Sequence, residues 1–201
     1  MAEGQKVGIR ADGLAIRRGA RILFENLNFA ARAGEFVEIR GANGAGKTSL
    51  LRAIAGFLRP HGGSIAFENA DEPSLALHYV GHLNGLKGGV SARAHMRYWA
   101  GLLEGDGPLD EAAAKLGVAA LLDLPARVLS QGQQRRVSLT RLLMAPRPIW
   151  LLDEPAAGLD SAGRNIIADL VAAHCAVGGL VLAAVHEPLG ATPVQTIMVG
   201  A

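Results

Sequence analysis

The stretch Phe36-Val37-Glu38-Ile39-Arg40, running into Gly41-Ala42-Asn43-Gly44-Ala45-Gly46-Lys47-Thr48, decides how the rest of the chain is read. The first five residues are β-prone. The next eight satisfy G-x-x-x-x-G-K-[ST], and the run to Ala55 that follows places Leu50, Leu51, Ile54 and Ala55 on one helical face. Strand, glycine-rich loop and helix in that order make a phosphate cradle. Gly41, Gly44 and Gly46 let backbone N–H groups converge on a phosphate chain, and the helix start turns its positive end toward the same anion. Lys47 supplies a mobile charge for the β and γ phosphates, and Thr48 offers a hydroxyl to Mg2+. Gly56 is placed to stop the helix.

Working outward, Pro148 to Leu152 and Leu180 to Val185 are almost continuous apolar runs of strand length, the pattern of parallel strands covered on both faces. Ser161 to Cys175 supplies the crossover helix between them, with Asp160 or Ser161 as its N-cap. The first run ends in Asp153-Glu154. Ligands of doubly wound sheets sit at that end of the strands, so Asp153 is expected to reach Mg2+ and Glu154 to orient or deprotonate an attacking water. The N-terminal segments Val7 to Ile16, Arg21 to Phe29 and Ser64 to Glu68 are separated by Asp-Gly, Arg-Gly-Ala and Gly-Gly signals, which suits an antiparallel edge sheet. A mostly helical insert is expected from about 75 to 128, with helices over Ala92 to Leu103 and Leu109 to Leu116. The fold class is α/β, with a mixed sheet.

The chain has 201 residues, half of them hydrophobic and 19% charged, which excludes a disordered chain and suits one domain over 1–201. Twenty Lys and Arg against 18 Asp and Glu leave a net charge of +2 spread without a basic block, so no nucleic-acid partner is expected. The longest apolar run, Ala168 to Val185, carries Asp169 and His174 and is cut by Gly178-Gly179, so it reads as helix, turn and strand rather than a membrane span. The polar start, with Glu3, Lys6, Arg10, Asp12 and Arg17, holds no apolar signal segment, and a cytoplasmic location is expected. The one cysteine, Cys175, agrees with a reducing compartment and reads as a small buried hydrophobe.

Further on, Leu129-Ser130-Gln131-Gly132-Gln133 is similar to the LSGGQ signature of ABC ATPases, with Gln131 in place of one glycine. The phosphate loop, this signature, Asp153-Glu154, Ala157-Gly158-Leu159-Asp160 as a D-loop, and His186 as the switch histidine follow in the family's order over nearly the whole chain. The resemblance implies a P-loop NTPase of the ABC type with a helical subdomain, binding ATP and Mg2+ and hydrolysing ATP. It places ATP contacts at Gly41 through Thr48 and at Ser130, Gly132 and Gln133, metal contacts at Thr48 and Asp153, and catalytic roles at Glu154 and His186. It also implies a head-to-tail pairing with a second copy, two ATP molecules lying between the chains. Two positions depart from the pattern. His82 stands where a glutamine usually follows the strand, and Arg18 stands where an aromatic residue usually stacks on adenine, so a relaxed base preference is expected.

The shortness of the chain, Arg18, Gly81-His82 and the run Ser130 to Val137 most resemble the ATP-binding subunits of haem exporters serving cytochrome c maturation. That resemblance implies integral membrane partner subunits and a place on the cytoplasmic face of the bacterial inner membrane. Six scattered histidines show no C-x-x-C-H motif, so no haem site is expected in this chain. Among soluble ABC ATPases, those of the DNA-repair group carry a long coiled coil between loop and signature, whereas Ser49 to Val128 is only 80 residues, and the ribosomal group usually fuses two such domains in one chain. Tyr98 and Trp99 are either anchors for a membrane subunit or packing for the helical lobe.

Overall fold

The computed structural model describes residues 6–200; residues 1–5, which include Glu3 of the polar start, and residue 201 lie outside it. Contacts divide the chain into two compact units, one of residues 6–81, 147–154 and 170–200, the other of residues 82–146 and 155–169.

The first unit holds two sheets. Strands β1 (Gly8–Arg18), β2 (Arg21–Arg32) and β4 (Gly62–Glu68) form an antiparallel sheet in the order β2-β1-β4. Strands β3 (Phe36–Arg40), β5 (Leu77–Val80), β6 (Ile149–Asp153), β7 (Leu180–Ala184) and β8 (Gln195–Met198) form a second sheet, order β5-β6-β7-β3-β8, whose pairings are all parallel. The expected mixture of strand directions is thus divided between two sheets. Inside β1, Asp12-Gly13 is a bulge rather than a turn, with a register shift between Ala11 and Leu14. The extra residue flips the alternation, so Ile9 and Ala11 before it and Leu14 and Ile16 after it all reach one core. That core also takes Leu50, Leu51 and Ile54 from helix α1 (Lys47–Ile54) and Val37, Ile39, Ile149, Leu151, Leu180 and Leu182 from the parallel sheet. β6 and β7 are buried along their whole length, as their unbroken apolar runs require.

β5 lies inside the region read as helical insert. The insert therefore begins after Val80, and its helices continue beyond residue 128. β8 escaped the sequence reading because it is four residues long at a sheet edge, and Gln195-Thr196-Ile197-Met198 shows neither an apolar run of strand length nor a polar–apolar alternation.

The second unit contains α3 (Ala92–Leu102), α4 (Leu109–Lys115), α5 (Gln131–Leu139) and α6 (Arg141–Met144), α2 (Pro73–Ala76) being a single turn in the first unit. Ser91 caps α3, its Oγ accepting from Ala94 N. Met96 and Trp99 of α3 are buried, as are Leu116, Leu122, Leu139 and Leu142, and α3 packs on α5 and α6. Trp99 is packing, with the Arg141 guanidinium 5.1 Å from its ring centre, whereas Tyr98 is exposed. Burial pushes the Arg141 pKa down to about 10, helped by the charge of Arg135. Both ring nitrogens of His95 are engaged: Nε2 accepts from Lys87 N at 2.8 Å, and Nδ1 lies 2.9 Å from Ser91 O.

Crossover helix α7 (Ser161–Ala176) is capped by Asp160, whose Oδ1 accepts from Gly163 N at 2.8 Å. Near its end His174 stacks on Trp150 with ring centres 3.7 Å apart and planes 8° apart, beside Gly179, where any Cβ would overlap the imidazole. Desolvation lowers the His174 pKa, partly offset by its bond to Pro148 O. A histidine pKa below its unfolded value of about 6.5 means that the unfolded chain takes up the proton first. Stability from this stack is full above the unfolded pKa and is lost as pH falls through the folded one. Melting curves of the wild type and His174→Phe are expected to lie parallel above pH 7.5, with only the wild type losing this increment toward pH 5. Equal acid sensitivity in both would remove His174 as the cause. Neighbouring Cys175 is half-buried rather than fully buried, and desolvation raises its pKa to about 11, so it stays an unreactive thiol.

Candidate active site

The loop from Gly41 to Gly46 joins β3 to α1. Gly41 has φ +153°, and a Cβ there would overlap the carbonyl of Val199, whose N–H bonds Arg40 O. Gly46 caps α1 with φ +112°, where a Cβ would sit 3.0 Å from the Phe24 ring. Side chains at both places would spoil the loop, which explains the glycines independently of any ligand. Ala45 turns inward to the core, leaving Asn43, Gly44 and Gly46 facing out.

Lys47 is 7% exposed, its Nζ donating to Gly41 O at 2.8 Å and Ala42 O at 3.2 Å. The ammonium is folded onto its own loop. Carbonyl oxygens are weaker partners than phosphate, so an arriving polyphosphate would capture it. Thr48 Oγ1 donates to Asp153 Oδ1 at 3.0 Å, tying the first turn of α1 to the end of β6. A hydroxyl and one carboxylate suit Mg2+, which keeps most of its waters and completes its shell with phosphate oxygens. Among the described residues no group of three or more His, Cys, Asp or Glu could hold a metal alone.

β6 and β7 are neighbours, with Asp153 opposite Ala184, and this pairing brings the next residues of each strand together. Glu154 N donates to Ala184 O at 2.9 Å, and Glu154 takes φ +51°, turning its side chain off the strand line. Its Oε1 lies 2.9 Å from His186 Nε2. Glu154 and His186 open into the same cavity of about 220 Å3 as Asn43, Gly44, Gly46, Lys47 and Thr48; Arg18, Leu23 and Ser49 complete the lining. Sequence reasoning named neither Leu23 nor Ser49, whose places follow from pairing and packing.

Ser130, Gly132 and Gln133 belong to the second unit, at the start of α5. Ser130 Oγ accepts from Gln133 N at 3.2 Å and Gln133 Oε1 from Ser130 N at 2.8 Å, a capping box that occupies both side chains. A Cβ on Gly132 would lie 2.6 Å from Gly158 O, so the D-loop packs directly on this turn. His82 is exposed and lines a separate cavity of about 480 Å3 within the second unit, together with Asn84, Gln131, Gln134, Arg135 and Gly158.

With this geometry in view, the comparisons with known proteins are specific. The ABC transporter family matches residues 24–157. A "Cytochrome c biogenesis ATP-binding export protein CcmA" of Rhizobium meliloti (strain 1021) is 44% identical over 192 residues, covering 90% of this chain and 92% of that protein. Its namesake from Rhodopseudomonas palustris (strain HaA2) is 46% identical over 186 residues, covering 90% and 92%. Among solved structures, an ABC transporter ATP-binding protein from Pyrococcus furiosus superposes with TM-score 0.83 at 21% identity, covering 96% of this chain and 97% of that one. The last likeness bears on the fold alone.

Proposed function

The chain belongs to the ABC transporter family of ATPases, and on that premise we propose that it drives an export step serving cytochrome c biogenesis, the role carried in the names of its curated relatives. It binds and hydrolyses ATP. The observation that carries the chemistry is the convergence of Lys47, the Thr48–Asp153 pair and the Glu154–His186 pair, of which all but Asp153 line one cavity.

In this reading residues 1–201 act as one ATP-binding domain. The amides of Gly41 to Thr48 cradle the β and γ phosphates, with Lys47 swinging from its loop carbonyls onto them. Thr48 and Asp153 would hold Mg2+, which when bound would supply positive charge against the phosphates. Glu154 takes a proton from the attacking water, and His186 contacts the γ phosphate while orienting the Glu154 carboxylate. Arg18, at the rim of the same cavity, offers its guanidinium plane to the base. Ser130, Gly132 and Gln133 of a second copy close the pocket, the capping box presenting the turn rather than freely rotating side chains.

A membrane subunit completes the exporter. Among the described residues no helix is long and apolar enough to cross a membrane, so this reading gives the crossing to partner chains and places this chain at the cytoplasmic face of the inner membrane. Deletion of the gene is expected to abolish haem-stained c-type cytochromes in the periplasm, with recovery from the wild-type gene and none from Glu154→Gln. Affinity purification of the tagged wild type from solubilised membranes is expected to bring down an integral membrane chain. Normal cytochromes in the deletion strain would overturn the assignment to cytochrome biogenesis, and recovery of the soluble chain alone would overturn the exporter.

A further inference from the structure

The strand leading into the phosphate loop carries a charge for which the hydrolytic scheme has no use. Glu38 is 0% exposed, on β3, between β7 and β8. Alternation puts Val37 and Ile39 into the core shared with α1 and places Glu38 on the opposite face with Phe36 and Arg40. A leucine would fill that place without desolvating a charge, so packing alone does not call for a carboxylate.

Both oxygens are engaged. Oε2 accepts from Arg40 Nε at 2.8 Å and Nη2 at 2.6 Å, which balances the charge. Oε1 accepts from the backbone N–H of Leu189 at 3.3 Å, across 151 residues of sequence. Leu189 is buried and lies three residues after His186, in the segment between β7 and β8. That segment leaves the sheet after Val185 N bonds Ile39 O and rejoins β3 when Val194 N bonds Phe36 O. Pro188 has no N–H to give, so the Leu189 amide is the next point past it at which the backbone can be tied.

We propose that Glu38 is a positioning residue for hydrolysis: it fixes the Val185 to Leu189 segment through the Leu189 amide and so holds His186 at Glu154, with Arg40 neutralising it. The inference rests on the reading of His186 as part of the hydrolytic site. Ordering of this kind acts on turnover more than on nucleotide affinity, since loop amides and Lys47 carry the binding and an ångström of misplacement is enough to slow chemistry.

The test uses the full-length protein with Glu38→Leu, Glu38→Gln, His186→Ala and the two double variants, measured for phosphate release, ATP affinity and amide hydrogen exchange. Glu38→Leu is expected to lower turnover at saturating ATP about tenfold, with the dissociation constant for ATP within about twofold of wild type. Exchange over residues 185–191 should quicken while β6 stays protected. Glu38→Gln keeps an acceptor for Leu189 and should lose about threefold. In the His186→Ala background neither change should cost anything further. Wild-type turnover in a folded Glu38→Leu, unchanged exchange over 185–191, or the same loss with and without His186 would each overturn the inference. Should Glu38→Leu fail to fold, Glu38→Gln decides by whether its loss vanishes in the His186→Ala background. Wild-type turnover in His186→Ala would remove the reading of the site and this inference together. A slow His186→Ala beside an unaffected Glu38→Leu would remove this inference alone.

Discussion

Glu154→Gln is expected to turn over ATP at least about a hundredfold more slowly than the wild type while binding ATP as well or better. The amide keeps the shape of the carboxylate and cannot take a proton from water. Backbone geometry is unaffected, because the bond from residue 154 N to Ala184 O does not involve the side chain, and glutamine tolerates φ +51° no worse than glutamate. Removing a negative charge from a cavity that receives phosphates relieves repulsion, which is why affinity should hold. His186, 2.9 Å away, loses a charged partner and keeps a hydrogen-bond acceptor. Steady-state phosphate release together with fluorescent-nucleotide titration separates the two effects. Turnover at the wild-type rate would remove Glu154 as the base, and loss of affinity in parallel with turnover would mean that the substitution damages the loop instead.

What the sequence reveals and what it conceals divide along the distance over which a signal acts. The strand Phe36–Arg40, the glycine loop and the helix from Lys47 were legible because a loop that admits no Cβ at Gly41 writes itself locally. β6 and β7 were legible because burial on both faces leaves an unbroken apolar run. The contact between Glu154 and His186 was not, since only the β6–β7 pairing makes them neighbours. Family order placed both in one site, and geometry added that they touch. β8 had no local signature: its register is set by β3. At Ser130 and Gln133 the spacing S-x-x-Q is itself a capping-box pattern, a signal available from the start that explains where both side chains point. Glu38 left a fainter trace, a lone carboxylate in an apolar strand with an arginine two residues on, the spacing that puts both on one face.

Lys47→Ala is expected to remove most of the thermal protection given by ATP. In the free protein the ammonium is nearly buried and donates to the carbonyls of Gly41 and Ala42, neutral oxygens that a phosphate would replace. Substitution therefore costs the free fold little, since the helix gains a better former at that position and the loop keeps its own glycine geometry. The loss falls on the complex. Ligand stabilisation follows RT ln(1 + [L]/Kd), so at an ATP concentration of 100 Kd the wild type gains about 2.7 kcal/mol. A charge-assisted pair in a site shielded from water is worth about 3 kcal/mol, roughly a hundredfold in Kd, which would leave the variant about 0.4 kcal/mol at the same ATP concentration. For a chain of this size those figures correspond to a rise in melting temperature of about 5 to 10 °C for the wild type and about 1 °C for Lys47→Ala. The comparison is made with Mg2+ and ATP together, with Glu154→Gln alongside so that hydrolysis does not deplete the ligand. An undiminished shift in Lys47→Ala would place phosphate recognition on the loop amides alone and leave Lys47 to act in the transition state, where its loss would slow turnover and spare the melting curve.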